Sequence, residues 1–420
     1  MNTELIRPAK LSREEPSWID RLARRIIFSS LERLEEGQIA ISENGTQYVF
    51  GHASDDAPLS VHIRVLSPKF YSEIAFGGTI GSGEAFIQNY WRCDDLTTLI
   101  RIMLKNRNLL GSVQGGLARF AQPARKALHW LNRNTRNGSR RNIAAHYDLG
   151  NEFYGLWLDP SMMYSCAYYE NADTSLEVAS AAKLDRICQR LQLTADDSVV
   201  EIGTGWGGFA IHAAKNYGCR VTTTTISKEQ YQYAQAAVRA AGLEDRITLK
   251  LEDYRDLEGE YDKLVSIEMI EAVGYQFHEE FFKKCQSLLK SDGLMLLQAI
   301  TITDQRWEAY KGSVDFIQRY IFPGGCLTSV TDMATVMTDS TDLRVINLED
   351  IGPHYAKTLR DWHDRFFDEI EKVRELGYTN EFIRMWQFYL CYCEAGFIER
   401  EIGTVQMLMM RPDARANAWH

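Results

Sequence analysis

Four glycines crowd one short stretch, VVEIGTGWGGFA from Val199 to Ala210, and a backbone so bare of side chains can approach a ligand closely. Gly203, Gly205 and Gly208 fit the G-x-G-x-x-G spacing of dinucleotide sites, while Gly203, Gly205 and Gly207 fit the looser G-x-G-x-G of another nucleoside cofactor. A dinucleotide site also wants an acidic residue about 20 residues further on, at the tip of the second strand, to hold the ribose hydroxyls. Here that tip reads TTTTISKEQ, and its first acidic residue, Glu229, falls inside the next helix. A dehydrogenase reading is therefore disfavoured.

S-adenosylmethionine carries no pyrophosphate, so its site needs close backbone approach with polar groups at a methionine end and an adenosine end. Glu201, just before the glycines, suits an ammonium group, and Glu252, Asp253 and Tyr254 close the third strand where an adenine would lie. Asp253 reads equally well as a helix cap. Further on, Glu268 and Glu271 stand three residues apart and would share one face of a helix. Glu271 follows the fourth strand at the edge where ligands bind, and a carboxylate buried beside an anion gains proton affinity. Glu268 reads as a solvated helix start. The eight cysteines are scattered, and Cys391 and Cys393 are separated by one residue, not the two of a redox or zinc knuckle, so reduced thiols and no metal site are expected.

These groups are carried by a regular alternation. SVVEIGTG, CRVTTTTIS, RITLKLEDY, YDKLVSIEM and LMLLQAITI read as strands, separated by helical stretches such as WGGFAIHAAKNYG, KEQYQYAQAAVRAAG and EEFFKKCQSLLKSDG. This predicts an α/β domain with a mainly parallel sheet covered on both faces, ligands lying at the carboxyl ends of the strands. Before it, an amphipathic helix from Ser17 to Gly37, the strands TQYVFGH and LSVHIRVLS, a glycine-rich turn FGGTIGSGEAF and a helix through LTTLIRIMLKN predict a small α+β domain. The boundaries are residues 1–112 for the α+β domain, 113–141 for a linker and 142–420 for the α/β domain.

Net charge is −10, which argues against nucleic-acid binding. Yet Arg119, Arg125, Lys126, Arg133, Arg136, Arg140 and Arg141 fall in one stretch without an acidic residue, beside apolar positions spaced at three and four. That segment is either a solvated linker helix or a helix for an anionic membrane surface. No signal-peptide core opens the chain and no apolar run reaches the ~18 residues of a membrane span, so a cytoplasmic protein, peripherally held at the inner face of the membrane, is expected. The sequence is also compatible with a homodimer.

In order along the chain, AAHYDLGNEFYGLWLDPSMMYSCAYYE, EIGTGWGGFA, TISKEQ, EDYRDLEGEYDKLVSIEMIEAVG and YIFPGGCLTSV resemble the cyclopropane fatty acid synthase family of S-adenosylmethionine-dependent methyltransferases. The resemblance runs over residues 142 to 411, and GGTIGSGEAFIQNYWRCDDLTTL resembles the family's N-terminal domain. It implies a Rossmann-like methyltransferase domain that adds a methylene across a cis double bond of an acyl chain in a membrane phospholipid. The implied route passes through a carbocation, with a bound bicarbonate as base.

The resemblance also implies roles. Cys166, Glu271, Ile300 and Tyr355 match positions around the bicarbonate, and Cys393 matches the cysteine often given as the family's active-site residue. Gln298 stands where well-known members have a histidine, so the proton path differs, since an amide donates but does not titrate; Ala272 replaces a second histidine. For the cofactor, the resemblance implies Tyr164 and Ser165 at the methionine end, Gly203, Gly205 and Gly207 at the turn, Thr225, Ile226, Ser227 and Gln230 around the ribose, and Asp253, Tyr254 and Arg255 beside adenine. Phe316, Ile317, Tyr320, Ile321 and Phe322 form core or line an acyl channel. A methyl-branched or methylene-bearing product, and a lipid-binding protein without catalysis, are the alternatives.

Overall fold

The computed structural model describes residues 15–53, 59–107 and 149–415. The basic stretch within 113–141 lies outside the described residues. Two compact units form, Met1–Ala124 with Thr379–Ala395, and Arg125–Tyr378 with Gly396–His420. The sequence-level domain 142–420 differs from this at Thr379–Ala395, because the helix Asn380–Ile398 is committed to the first unit through most of its length. There Phe388 packs on Phe86 with ring centroids 6.0 Å apart, and the Thr97 hydroxyl donates to Glu394 at 2.7 Å.

In the first unit, Ser17 caps the helix Trp18–Leu31 and exchanges hydrogen bonds with Asp20, as the Ser-x-x-acid spacing dictates. Strands β1 (Gly37–Glu43), β2 (Thr46–His52), β3 (Ser60–Val65) and β4 (Trp91–Cys93) form a sheet in the order β2-β1-β3-β4. Asn44 and Gly45, both at positive φ, make the two-residue turn between β1 and β2. The glycine-rich stretch read as a turn is instead part of the helix Lys69–Ile87, interrupted at Gly78 with φ 58°. Small residues allow this: a side chain at Gly81 would stand 2.1 Å from the Glu73 carbonyl oxygen.

The second unit carries β5 (Ser198–Ile202), β6 (Arg220–Thr225), β7 (Ile247–Leu251), β8 (Tyr261–Ile267), β9 (Leu289–Ile302), β10 (Arg344–Asp350) and β11 (Ile402–Met410) in the order β10-β11-β9-β8-β5-β6-β7. The five strands from β9 to β7 are parallel, and β11 and β10 add antiparallel strands at one side. Val199, Val200, Leu264, Val265 and the run Leu294–Leu297 are all buried, the continuous apolar signature of a sheet covered on both faces. The order in which strands are added reverses at β5, which has β6 on one side and β8 on the other, all three parallel. A crevice for ligands opens at such a point, outside the carboxyl ends of β5 and β8.

Candidate active site

Beyond β5 the chain turns through Gly203 (φ 104°), Gly205 (φ 53°) and Gly207 (φ 94°), all in the left-handed region, before the helix Gly208–Tyr217 begins. The three glycines of the looser spacing are thus the ones the backbone requires, while Gly208 is needed for close packing, since a side chain there would stand 2.7 Å from Met163 Sδ. The turn is tied to β6 by N–H bonds from Gly203 and Thr204 to the Thr224 carbonyl. Glu201 lies buried beneath it and accepts a 2.6 Å bond from the Thr223 hydroxyl, and burial pushes its carboxyl up to about 8. Thr225, Ser227 and Gln230 bond to one another at the start of the helix Lys228–Ala240. Asp253 does act as a cap, for a short turn at Tyr254–Asp256, and it also grips Arg255 through two bonds of 2.8 and 2.7 Å.

S-adenosylmethionine fits these residues. A side chain on Gly205 would meet nothing within 4 Å, so the turn leaves open space where a ligand can lie against bare backbone. The Tyr254 hydroxyl is enclosed without a hydrogen-bond partner beside the Asp253–Arg255 pair. The glycine turn would hold the cofactor's middle, and Tyr254 with Asp253 its base.

The second cluster centres on Glu268, at the carboxyl end of β8. Its Oε1 accepts from the Cys166 N–H at 2.9 Å and from Gln298 Nε2 at 2.8 Å, and its Oε2 accepts from the Tyr355 hydroxyl at 2.8 Å. Gln298 on β9 is aimed by register: it pairs with Gln406 on β11, whose Nε2 donates to its Oε1 at 3.1 Å. Tyr355, on the helix Gly352–Asp368, stacks on Phe397 at 4.5 Å. The Cys166 side chain faces the Ile351 and Ala167 carbonyls, and burial pushes its thiol far up, so Cys166 acts here through its backbone.

Glu268 has φ 49°, a conformation that costs a side-chain-bearing residue about 1 kcal/mol or more. Three charge-assisted hydrogen bonds hold it there. Its neighbour Glu271 accepts from the Ile300 N–H through Oε1, while Oε2 is sealed from water with no partner. Burial, and after it the charge on Glu268, push Glu271 up to about 8. Lys183 is fully buried with Nζ 2.8 Å from the Ser165 hydroxyl; burial lowers it to about 8 against the pull of Glu268, Cys166, Asp159 and Glu201.

Packed rings join the two clusters. Trp206 of the glycine turn meets Tyr154 (5.0 Å), Tyr154 meets Tyr164 (5.5 Å), Tyr164 meets Trp362 (5.2 Å), and Trp362 meets Tyr355 (5.9 Å), which bonds Glu268. Phe322 reaches Tyr164 at 6.2 Å, and Phe316 and Ile321 are core.

Of the sequence-derived site, then, Cys166, Gln298 and Tyr355 meet on one carboxylate and Ile300 meets Glu271. Cys393 is half-buried on the stretch that belongs to the first unit. Glu268 is the central acceptor and not a solvated helix start, and Lys183 and Gln406 are further members the sequence reading missed. Lys183 did leave a signal, a cation three residues after Ser180 and one before Leu184 on the buried side of its helix. Bicarbonate does not fit this donor set. The single hydrogens of Cys166 N–H and Tyr355 O–H are spent on Glu268, that of Ile300 N–H on Glu271, and the Gln298 amide donates to Glu268 and, at 3.4 Å, to the Cys166 carbonyl, so that the Glu271 carboxyl, with Oε2 unpartnered, is left as one donor where the resemblance implies a cage.

The family model described as mycolic acid cyclopropane synthetase matches residues 134–407. The chain belongs to that family. It is 37% identical over 352 residues to the tuberculostearic acid methyltransferase UfaA1 of Mycobacterium tuberculosis, covering 80% of this chain and 79% of the relative. It is 35% identical over 357 residues to the cyclopropane-fatty-acyl-phospholipid synthase of Escherichia coli strain K12, covering 83% and 87%. The crystal structure of mycolic acid cyclopropane synthase CmaA1 complexed with SAH and CTAB superposes with a TM-score of 0.61 at 30% identity, over 64% of this chain and 98% of that one. This member of the family is an S-adenosylmethionine-dependent methyltransferase with a Rossmann-like α/β fold.

Proposed function

We propose that the enzyme alkylates the cis double bond of an unsaturated acyl chain in a membrane phospholipid and closes a cyclopropane ring on it. The observation that carries this reading is the run of aromatic rings from Trp206 to Tyr355, ending on the Glu268 carboxylate at the strand ends. S-adenosylmethionine, when bound, supplies an electrophilic methyl group. An alkene is a weak nucleophile, so the protein's task is to hold it in line in a dry space. The faces of Tyr164, Trp362 and Tyr355 exclude water and favour the positive charge left on the acyl chain after its π pair has bonded to the new methyl carbon. The methyl then gives up a proton, and the freed C–H pair closes the ring.

The same charge supports a second reading. If a 1,2-hydride shift first moves the charge to the carbon that bears the new methyl, loss of a proton from that methyl leaves a methylene on the chain, and reduction of the methylene by an external hydride donor such as a reduced nicotinamide gives the methyl branch. The relative named as a tuberculostearic acid methyltransferase, with Gln298 in place of a histidine, favours giving this outcome its own test. Vesicles of cis-unsaturated phospholipid incubated with methyl-labelled S-adenosylmethionine, followed by NMR of the recovered chains, decide it. Label in high-field cyclopropane resonances supports the first reading, label in vinylidene or branched methyl resonances supports the second, and unlabelled lipid refutes both.

A phospholipid substrate calls for work at a bilayer surface. No helix among the described residues is long and apolar enough to cross a membrane. We place the enzyme peripherally at the inner face, through the basic residues of 113–141 and through Trp18 and Leu22, 68% and 43% exposed on one side of the first helix. A homodimer belongs to this proposal as an arrangement for cross-linking to test.

A further inference from the structure

We infer that the carboxylate of Glu268 is the enzyme's own base, doing the work that a bound bicarbonate would otherwise do. This rests on the alkylation reading above and deepens it. Of the positions that the family resemblance assigned around an external anion, Cys166, Glu271, Gln298, Ile300 and Tyr355, three, Cys166, Gln298 and Tyr355, point a hydrogen at Glu268, and the Ile300 N–H goes to Glu271. The donors are themselves buried, at 0%, 0% and 5% exposure, and the Glu268 carboxyl is enclosed with them; burial raises its proton affinity, while the three donors and Lys183 favour the carboxylate. The arrangement is thus a set of donors converging on one enclosed carboxylate.

The backbone supports the same conclusion. Glu268 occupies a left-handed conformation that glycine adopts freely, and nothing in the local chain requires a long acidic residue there. The side chain is retained against that strain, with its backbone N–H anchored on the Gln298 carbonyl at 2.8 Å. The next residue, Met269, lies where a side chain on Gly203 would stand, 3.2 Å away, so the strand end that bears Glu268 abuts the glycine turn. Buried Lys183 supplies compensating positive charge, and Glu271, its proton held by burial and by Glu268, adds no second negative charge at neutral pH.

In the step assigned to it, a carboxylate oxygen of Glu268 forms an O–H bond to a proton of the newly added methyl. The C–H bond breaks, its electron pair forms the third side of the ring, and the carbocation is discharged. The proton leaves to solvent after the product departs, restoring the carboxylate. No external base is consumed.

The test uses the full-length enzyme in carbonate-free, argon-purged buffer, with vesicles of cis-unsaturated phospholipid and labelled S-adenosylmethionine. Wild type is expected to work within twofold of the same rate with and without added bicarbonate. Glu268→Gly removes the base, relieves the strain and frees three donors. It is expected to fold, to lose about 100-fold or more of the rate in carbonate-free buffer, and to recover part of it with bicarbonate. Glu268→Gln fills the same space with an amide and is expected to lose the rate without recovery. Independently of turnover, NMR with carbon-13 bicarbonate is expected to show binding to Glu268→Gly and none to wild type. A wild type that stalls without bicarbonate, or that binds it, overturns the inference, as does a Glu268→Gly variant of wild-type rate in carbonate-free buffer. If no phospholipid is turned over while the difference in anion binding stands, the substrate reading fails and the replacement of the anion by Glu268 is supported.

Discussion

Removing one hydroxyl from the Glu268 cluster gives a measurable energy. Tyr355→Phe deletes the hydroxyl that donates to Glu268 Oε2 at 2.8 Å and leaves the ring, stacked on Phe397 at 4.5 Å, in place. No cavity of consequence opens, so the cost is that of the hydrogen bond. A bond to a charged acceptor contributes about 1.5–3 kcal/mol. Tyr355 is 5% exposed and the Glu268 carboxyl is enclosed, so water does not readily replace the lost hydroxyl, which puts the expected loss near the upper end of that range. The assay is denaturant unfolding of wild type, Tyr355→Phe, Glu268→Ala and the double variant. Alanine keeps the backbone strain of position 268 while removing the acceptor, so the double variant should be more stable than the sum of the two single losses by at least about 1 kcal/mol. Losses that add to within about 0.5 kcal/mol would show that the two side chains do not share this bond in solution. S-adenosylmethionine affinity of Tyr355→Phe should stay within twofold of wild type, because the glycine turn is untouched.

Gly205→Ala should cost only about 1–2 kcal/mol of stability from its positive φ, since its methyl meets nothing in the protein, yet it should sharply reduce S-adenosylmethionine binding by calorimetry; unchanged affinity would remove the turn from the cofactor site. Glu271 keeps its proton at neutral pH, so the neutral isostere in Glu271→Gln should leave turnover there within about tenfold and cofactor affinity unchanged, and a loss of about 100-fold would put Glu271 in the chemistry. Glu201 holds its proton up to about 8 in the fold against an ordinary 4.5, so between those values unfolding releases a proton and stability falls as pH rises; denaturation midpoints across that window should decline, and more shallowly in Glu201→Gln. Charge reversal at Arg125, Lys126, Arg140 and Arg141 should weaken binding to anionic vesicles most at low salt, at ~1 kcal/mol per charge. Trp18→Ser with Leu22→Ser should weaken it without salt dependence, and vesicle affinity indifferent to both sets would refute the membrane surface.

Period and punctuation made the α/β unit readable. Val199–Ile202, Val221–Thr225 and Leu294–Ile302 are short apolar or β-branched runs bounded by glycine or by helix caps, and they became β5, β6 and most of β9. The helix Lys69–Ile87 was misread because its glycines look like a turn when only backbone freedom is weighed. In the fold they serve close packing, as at Gly81 against Glu73. Cys166, Gln298 and Tyr355 were found through family likeness, since residues 132 and 57 positions apart carry no periodic signal of meeting. Glu268 was misplaced for a local reason: an acidic residue three before another at a strand end has the spacing of an exposed first helical turn. Its positive φ, which turns the side chain onto those donors, is a property of the folded backbone that no propensity reveals.

The register of β9 on β11 explains why an amide suffices at position 298. Gln298 pairs directly with Gln406, and the Gln406 amide fixes the Gln298 carbonyl, which forces Nε2 toward Glu268 and the Cys166 carbonyl. A histidine there would bring a second titrating group against a carboxylate already supplied with two donors, the Cys166 N–H and the Tyr355 hydroxyl. An amide gives the same hydrogen bond at every pH and leaves the proton to the acid side chain. Glu268 and Gln298 thus form one unit, a carboxylate that brings the negative charge and a neutral donor that orients it, and exchanging either alone should cost more than exchanging both.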